Sequence, residues 1–427
     1  MKTLYPGTSG PSVQLLQLAL DRAGFGPLET DGIFGPATRF ALTEFQRKKG
    51  LSPDGIAGNK THGALMPYYT GYLTHRIRRG DTYFALADEY STSMEAIELA
   101  NPGYSSRNLP IGALVTVPLS FPVVPTDVEW FSALTGLCVR GLAARYPFIG
   151  TGSAGYSIMG RELWKITLGS GENRVLCSGA HHANEWITAP VLMKYVEDLC
   201  RAYTSESQLG GVEAGDILER SALCIVPCVD PDGVDLVTGE LISGDYYNRA
   251  AAIARDYPRF PFPSDWKANI RGVDLNLQYP AGWESAKANK YAAGISSPAP
   301  ADFVGYMPLS EPESRAMYSL ALDFSPRLML AYHTQGEVIY WRYGDKMPTD
   351  SLAIGRRLAE LSGYALDDAP QYSAYAGYKD WFIDRFDRPG YTVEAGIGVN
   401  PLPISQFDEI YRRNVPLLSY AAIATAR

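Results

Sequence analysis

Residues 175–186 read Val175-Leu176-Cys177-Ser178-Gly179-Ala180-His181-His182-Ala183-Asn184-Glu185-Trp186. The first four residues form a strand-like apolar run, and a helical pattern begins soon after, at Ala189. His182 and Glu185 therefore follow a strand at its C-terminal end, where the sites of α/β domains commonly form. Taken alone, an imidazole and a carboxylate three residues apart are a weak signal, because such a pair is often a satisfied core or surface pair.

Apolar strand-like runs and amphipathic helices alternate on both sides of this stretch. The strand-like runs are Leu163–Leu168, Arg174–Ser178, Ala222–Val229, Arg327–Tyr332 and Tyr391–Val393. The helical patterns are Ala189–Tyr203, Glu313–Phe324, Asp350–Leu361 and Ile404–Ala424. This alternation predicts an α/β domain over residues 127–427, with a mixed central sheet flanked by helices.

Histidine is scarce in this region, which contains only His181, His182 and His333. A catalytic zinc ion takes three protein ligands and keeps one position open. His333 ends the apolar run that begins at Leu328, so it is the candidate for a distant third ligand beside His182 and Glu185. His181 points away from its neighbour in an extended backbone, and we interpret it as a structural or supporting residue.

Three blocks together resemble the zinc metallocarboxypeptidases. They are His182 to Trp186, which fits the H-x-x-E-W signature, then Tyr332-His333-Thr334, and Thr392-Val393-Glu394. The resemblance implies a carboxypeptidase-like fold and one Zn²⁺ ion held by His182, Glu185 and His333. It also implies that Glu394 is the general base and then the general acid.

The same resemblance assigns Arg271 to polarising the scissile carbonyl, although a surface ion-pair role stays open, with Arg255 and Arg259 as substitutes. It also assigns Asn276 to substrate binding. In carboxypeptidases the next residue is an arginine that grips the substrate carboxylate, but this chain has Leu277. Leucine cannot donate hydrogen bonds, so preference for an ordinary free C-terminus is expected to be weak.

The mobile tyrosine of the family is not found at its expected place, where Phe382 or Ile383 stands. Tyr378 and Lys379 are the candidates to contribute to substrate binding instead.

An internal repeat marks the N-terminal region. Asp31 to Thr38 recurs as Asp54 to Thr61, and each copy is a glycine-containing turn that leads into a helix. With Gly10 to Val13, Leu16-Gln17 and Phe45-Gln46, the repeat resembles the three-helix peptidoglycan-binding domain. We expect this domain over residues 1–70, although another small helical bundle with glycine turns remains an alternative.

A βααβ pattern occupies residues 73–119. The sequences Gly80-Asp81-Thr82, Ile97 to Pro102 and Val115 to Pro118 resemble a LysM domain, which implies binding of glycans that contain N-acetylglucosamine. A degenerate copy that keeps only the fold is also possible. The proline-punctuated residues 120–126 then predict a stiff linker.

Charge, hydrophobicity and cysteine content argue against three classes of protein: nucleic-acid-binding, membrane-spanning and disulfide-rich proteins. The net charge of −8 gives no electrostatic reason to bind nucleic acid. No apolar run approaches the ~20 residues needed to span a bilayer. The five cysteines are too dispersed for a disulfide framework, so we expect buried, reduced thiols.

Two wall-binding modules beside a zinc peptidase resemble the bacterial γ-D-glutamyl-diaminopimelate endopeptidases. This resemblance implies a zinc-dependent hydrolase of peptidoglycan or muropeptide stem peptides. The alternatives are a general carboxypeptidase and an inactive wall-binding protein. The lack of an apolar leader after Met1 favours a cytoplasmic enzyme, with sporulating cells as one setting, whereas the wall-binding modules favour the cell wall.

Overall fold

The computed structural model describes residues 1–370 and 375–425. The chain divides into two compact units, Met1–Glu129 with Gly136–Gly150, and Trp130–Thr135 with Thr151–Arg427. All seven tryptophans belong to the second unit, because the first tryptophan of the sequence is Trp130. Tryptophan fluorescence therefore reports on that unit alone.

The first unit begins with three helices, α1 (Pro11–Leu20), α2 (Pro36–Lys48) and α3 (Asn59–Thr70). The sequence repeat reappears as one hydrogen-bond pattern used twice. Gln17 Nε2 donates to Asp31 Oδ1 at 2.7 Å, and Gln17 Oε1 accepts from the backbone N–H of Gly32 at 2.9 Å. Gln46 makes the same two contacts with Asp54 and Gly55. Each buried glutamine amide thus fixes the turn before a helix.

The βααβ pattern follows as β1 (Tyr72–Arg76), α4 (Tyr83–Glu89), α5 (Met94–Ala100) and β2 (Leu114–Pro118). β1 and β2 are antiparallel, with His75 opposite Val115. Asn101 joins α5 to β2, since its Nδ2 donates to the Ile97 and Thr116 carbonyls and its Oδ1 accepts from the Thr116 N–H. The asparagine of the Asn-Pro motif therefore closes this domain.

Residues 120–126 are packed within the first unit. Val123 and Val124 are buried, and Arg145 Nη2 donates to the carbonyls of Leu119 and Phe121. The sequence predicts a stiff linker here from its prolines, but it does not reveal that valines from the same stretch are buried. The stretch contains several bends, and its valines are part of the unit's core.

The second unit is built on an eight-stranded mixed sheet in the order β11-β10-β12-β9-β5-β8-β4-β3. The strands are β3 (Gly150–Tyr156), β4 (Glu162–Leu168), β5 (Asn173–Ser178), β8 (Ser221–Val226), β9 (Leu328–His333), β10 (Val338–Tyr340), β11 (Ala365–Asp367) and β12 (Gly390–Glu394). A short hairpin of β6 (Gln208–Leu209) and β7 (Val212–Glu213) lies apart from this sheet. β8, β5, β9 and β12 are parallel neighbours, so their C-terminal ends share one edge.

Helices connect and cover these strands. They are α7 (Thr188–Thr204), α8 (Ala214–Arg220), α9 (Pro231–Val237), α10 (Asp245–Arg255), α11 (Trp283–Ala292), α12 (Pro312–Phe324), α13 (Ser351–Ser362), α14 (Tyr378–Phe386) and α15 (Phe407–Ile423). A further helix, α6 (Ser132–Arg145), belongs to the first unit from Gly136 onward. The predicted fold class is confirmed, and the predicted strands and helices agree within a few residues. The largest strand difference is β8, which ends at Val226 because Pro227 has no N–H for a strand ladder.

The five cysteines are buried free thiols, as the sequence predicts. Burial raises the pKa of Cys224 to about 12, so this thiol stays protonated near neutral pH.

A buried group of acids lies in the second unit. Arg161 pairs with Asp232 at 2.6 Å and with Asp235 at 2.9 Å. Glu313 Oε1 accepts from the backbone N–H of Ile158, but Glu313 Oε2 has no hydrogen-bond partner among the described residues. Burial raises the pKa of Glu313 to about 7 and that of Asp235 to about 6.

We expect Glu313→Gln to weaken the pH dependence of folding. An acid whose pKa is raised on folding contributes stability that is full below about pH 4.5 and is lost as pH rises through about 7. Glutamine stays neutral, so between pH 5 and 8 the free energy of unfolding of the variant should fall by on the order of 2–3 kcal/mol less than that of the wild type. Urea unfolding followed by tryptophan fluorescence measures this difference. Glu360→Gln is the matched exposed control, and equal slopes in all three proteins would contradict the prediction.

Candidate active site

The common edge of the parallel strands carries the site. β5 ends at Ser178, and the chain then turns through His182 into a short 3₁₀ helix that contains Glu185. β9 ends at His333 and β12 ends at Glu394, and these two residues are register partners. Strand ends that lie far apart in the chain therefore bring four functional side chains to one place.

Three of these side chains converge on a single point. His182 Nδ1 lies 2.9 Å from Glu185 Oε1 and 3.1 Å from His333 Nδ1. His333 Nδ1 lies 2.8 Å from Glu185 Oε2. All three residues are buried, and their donor atoms lie within 4.8 Å of one another. Two imidazole nitrogens and a carboxylate that face a common centre fit the donor set of a catalytic zinc ion.

Asp274 supports this group from outside. Its Oδ1 lies 3.1 Å from His182 Nε2, the ring nitrogen that faces away from the other donors. Burial alone would raise the pKa of Asp274, but His182 and Lys267 lower it well below its usual range. A charged carboxylate on the second nitrogen fixes the tautomer and orientation of a metal-binding histidine.

We expect Asp274→Asn to lower zinc affinity by about 10–100-fold, because the neutral amide no longer strengthens His182 as a ligand. Competition with a chromogenic zinc chelator measures the change. Asp265→Asn is the matched control, since Asp265 also lines the cavity beside the site. Equal zinc affinities in the two variants would contradict the role of Asp274.

The donor group opens into a cavity of about 490 Å³. Its lining includes His182, Asn276, Lys267, Lys379 and Glu394. Burial and the nearby Glu185 carboxylate raise the pKa of Glu394 to about 8. A carboxyl group whose pKa lies near neutral can both accept and return a proton.

Two of the sequence-predicted residues lie elsewhere. Arg271 is half exposed outside the cavity lining, and its Nε and Nη2 donate to Glu311 Oε2 at 3.0 Å and 2.7 Å. Tyr378 is fully buried, and its hydroxyl donates to the Met317 carbonyl. Neither side chain lines the cavity, and the exposed substitutes Arg255 and Arg259 do not line it either.

The other two substrate-binding candidates line the cavity. Asn276 is held by its own Oδ1, which accepts from the Tyr378 N–H at 2.9 Å. Lys379 is buried, with Nζ 2.6 Å from Asp380 Oδ1 and 2.6 Å from the Arg342 carbonyl. Phe382 is fully buried in the hydrophobic core, away from the cavity.

Sequence reasoning missed Lys267. Its Nζ lies 3.7 Å from Glu185 Oε1, and its side chain is 38% exposed. Burial would lower the pKa of Lys267, but Glu185 and Asp274 more than offset this effect and raise it, so the group is a cation. The only sequence signal for Lys267 is that it follows a tryptophan, Trp266. This signal is too general to distinguish Lys267 from Arg271 in the same irregular segment.

Comparison with known families agrees with this donor group. The zinc carboxypeptidase family pattern matches residues 138–416. The chain belongs to the zinc carboxypeptidase family. It is a zinc metallopeptidase, and it also carries a peptidoglycan binding domain over residues 9–65 and a LysM domain over residues 75–118.

Curated relatives and a solved structure agree with this family. The chain is 40% identical over 277 residues to gamma-D-glutamyl-L-diamino acid endopeptidase 1 of Lysinibacillus sphaericus, covering 64% of this chain and 67% of that protein. It is also 40% identical over 277 residues to the uncharacterized protein YqgT of Bacillus subtilis (strain 168), covering 64% and 72%. The solved structure of carboxypeptidase A from Helicoverpa armigera superposes with a TM-score of 0.54 at 18% identity, covering 92% of this chain and 88% of the other. This likeness shows a shared fold.

Proposed function

We propose that this zinc carboxypeptidase relative hydrolyses peptidoglycan stem peptides at the bond between γ-D-glutamate and meso-diaminopimelate. The observation that carries the proposal is the convergence of His182, Glu185 and His333 beside Glu394 in an open cavity. The 40% identity to an enzyme named a gamma-D-glutamyl-L-diamino acid endopeptidase supports this bond over an ordinary peptide bond.

One zinc ion, held by the two histidines and Glu185, would polarise the scissile carbonyl and lower the pKa of a coordinated water towards ~7. Glu394 takes a proton from the attacking water and passes it to the leaving amine nitrogen. The position of Glu394 beside His333 in the sheet supports this role, because it faces the same space as the three donors. Asp274 keeps His182 oriented throughout.

Substrate binding uses the wall of the cavity that carries Asn276 and Lys379. The Asn276 Nδ2 amide and the Lys379 ammonium group can both donate hydrogen bonds to the carboxylates of a diaminopimelate residue. Leu277 is buried, and it offers no donor to a terminal carboxylate. This absence of a guanidinium supports cleavage within a longer or branched acidic peptide rather than removal of ordinary C-terminal residues.

The N-terminal modules bring the enzyme to its polymer. Peptidoglycan binding and LysM domains suggest association with the cell wall, and glycans that contain N-acetylglucosamine are the proposed ligand of the LysM domain. Tethering to the polymer raises the local concentration of peptide substrate. No helix in residues 1–370 or 375–425 is both long and apolar enough to cross a membrane.

The test uses two synthetic peptides, L-Ala-γ-D-Glu-meso-diaminopimelate and the same peptide extended by D-Ala. We expect release of L-Ala-γ-D-Glu from both, with loss of activity in a chelator and recovery with zinc, measured by mass spectrometry. Release of free D-Ala, or trimming of ordinary L-peptides in preference to these substrates, would support a general carboxypeptidase instead. Zinc-loaded protein that binds peptidoglycan and cleaves neither peptide would be an inactive wall-binding protein.

A further inference from the structure

Lys267 occupies the cavity wall next to the zinc ligands. Its backbone is fixed on both sides, since its N–H donates to the Pro300 carbonyl at 2.8 Å and its carbonyl accepts from the Ala183 N–H at 3.1 Å. Ala183 directly follows His182, so the lysine and the zinc-binding turn are joined by this hydrogen bond. The preceding Trp266 is fully buried and anchors the same segment.

Among the described residues, three lysines line the cavity, and they differ in how closely each is paired with a carboxylate. Lys290 Nζ lies 2.6 Å from Asp302, and Lys379 Nζ lies 2.6 Å from Asp380. Lys267 Nζ has its ion pair with Glu185 at the longer distance of 3.7 Å. Glu185 is itself a proposed zinc ligand, and a carboxylate that binds a divalent cation has less charge to offer a lysine. Of these three lysines, Lys267 therefore has the ammonium group that is most available to a substrate.

We propose that Lys267 is the cation that stabilises the oxyanion of the tetrahedral intermediate. When water attacks the carbonyl carbon, the π electron pair of the C=O bond moves to the carbonyl oxygen, and the proton of the water goes to Glu394. The C–N bond then breaks, and this proton passes to the leaving nitrogen. A fixed cation beside the developing oxygen charge lowers the barrier to the first step. The inference rests on the proposed function, since it concerns the same site.

Arg271, which the sequence favours for this role, is held outside the cavity by Glu311. The two cations are four positions apart in one irregular segment, and they can be tested against each other. Lys267 lines the cavity beside Glu185, whereas Arg271 forms a half-exposed ion pair with Glu311 outside the lining.

The experiment compares full-length zinc-loaded wild type with Lys267→Met, Lys267→Arg and Arg271→Met on the γ-D-Glu-diaminopimelate tripeptide. Loss of one oxyanion donor typically costs about 10²–10³-fold in kcat. We expect this loss in Lys267→Met, with one zinc retained and a much smaller change in KM. Lys267→Arg should recover much of the rate, and Arg271→Met should stay within about threefold of wild type. A phosphinate analogue of the scissile bond should lose affinity for Lys267→Met by about the same factor as kcat/KM.

Three results would overturn the inference. These are a Lys267→Met rate near that of wild type, a loss of zinc in proportion to the loss of rate, and an Arg271→Met defect as large as that of Lys267→Met. Each leaves the proposed function standing as long as the wild type cleaves the tripeptide. Failure of the zinc-loaded wild type to cleave it would reject the proposed function itself.

Discussion

Glu394→Gln should reduce hydrolysis of the γ-D-Glu-diaminopimelate tripeptide by about 10²–10⁴-fold while zinc stays bound. Glutamine preserves the shape of the side chain but can neither take a proton from water nor return it to the leaving amine. The raised pKa of Glu394, about 8, follows from burial and from the Glu185 carboxylate beside it. A bound divalent cation lowers this pKa, which favours the charged form that accepts the proton.

The measurement is kcat/KM together with the zinc content of the same samples. The matched control is Glu360→Gln, an exposed substitution of the same type. A Glu394→Gln enzyme that keeps more than about a tenth of wild-type activity would contradict a role in proton transfer. Loss of zinc from this variant would instead place Glu394 among the metal-holding groups.

Removal of the metal should both abolish activity and destabilise the second unit. The buried donors His182, Glu185 and His333 face one another, so a cation bound among them offsets the repulsion between their lone pairs. Zinc at about a thousand times its Kd should add about 4 kcal/mol to the free energy of unfolding. His333→Ala should lose zinc and this stabilisation together, because a donor is missing from the group.

His181→Gln is the matched control for the metal experiment. The ring of His181 stacks on that of His333 at 5.8 Å, and its Nε2 lies 3.3 Å from the Tyr279 hydroxyl, so it is buried nearby without joining the donors. Tryptophan fluorescence in urea, with and without zinc, separates the two variants. Zinc binding by His333→Ala equal to that of His181→Gln would reject His333 as a ligand.

Sequence reasoning located the donor group because each of its residues follows an apolar strand. Parallel strands place their C-terminal ends at one edge, so residues 151 positions apart, such as His182 and His333, meet. The fold class followed from the same alternation of strands and helices. These are features of hydrophobic patterning, which a single sequence carries directly.

The sequence could not say which side chains of irregular or helical segments face the cavity. Arg271 and Lys267 lie in a stretch without periodicity, so their cationic chemistry alone could not separate them. Tyr378 and Lys379 are consecutive in α14, where neighbouring side chains point about 100° apart. One therefore enters the core and the other lines the cavity. Such choices depend on tertiary packing that residue type does not encode.

The alignment of His333 with Glu394 across one ladder ties two tasks to a single backbone alignment. Slipping either strand by one position would turn its last side chain to the opposite face of the sheet, and the proposed metal ligand and the proposed proton acceptor would no longer lie side by side. Insertions and deletions during evolution should therefore be confined to the loops beyond these strands. The β9–β12 pair is accordingly the element least open to changes of length in an engineered variant.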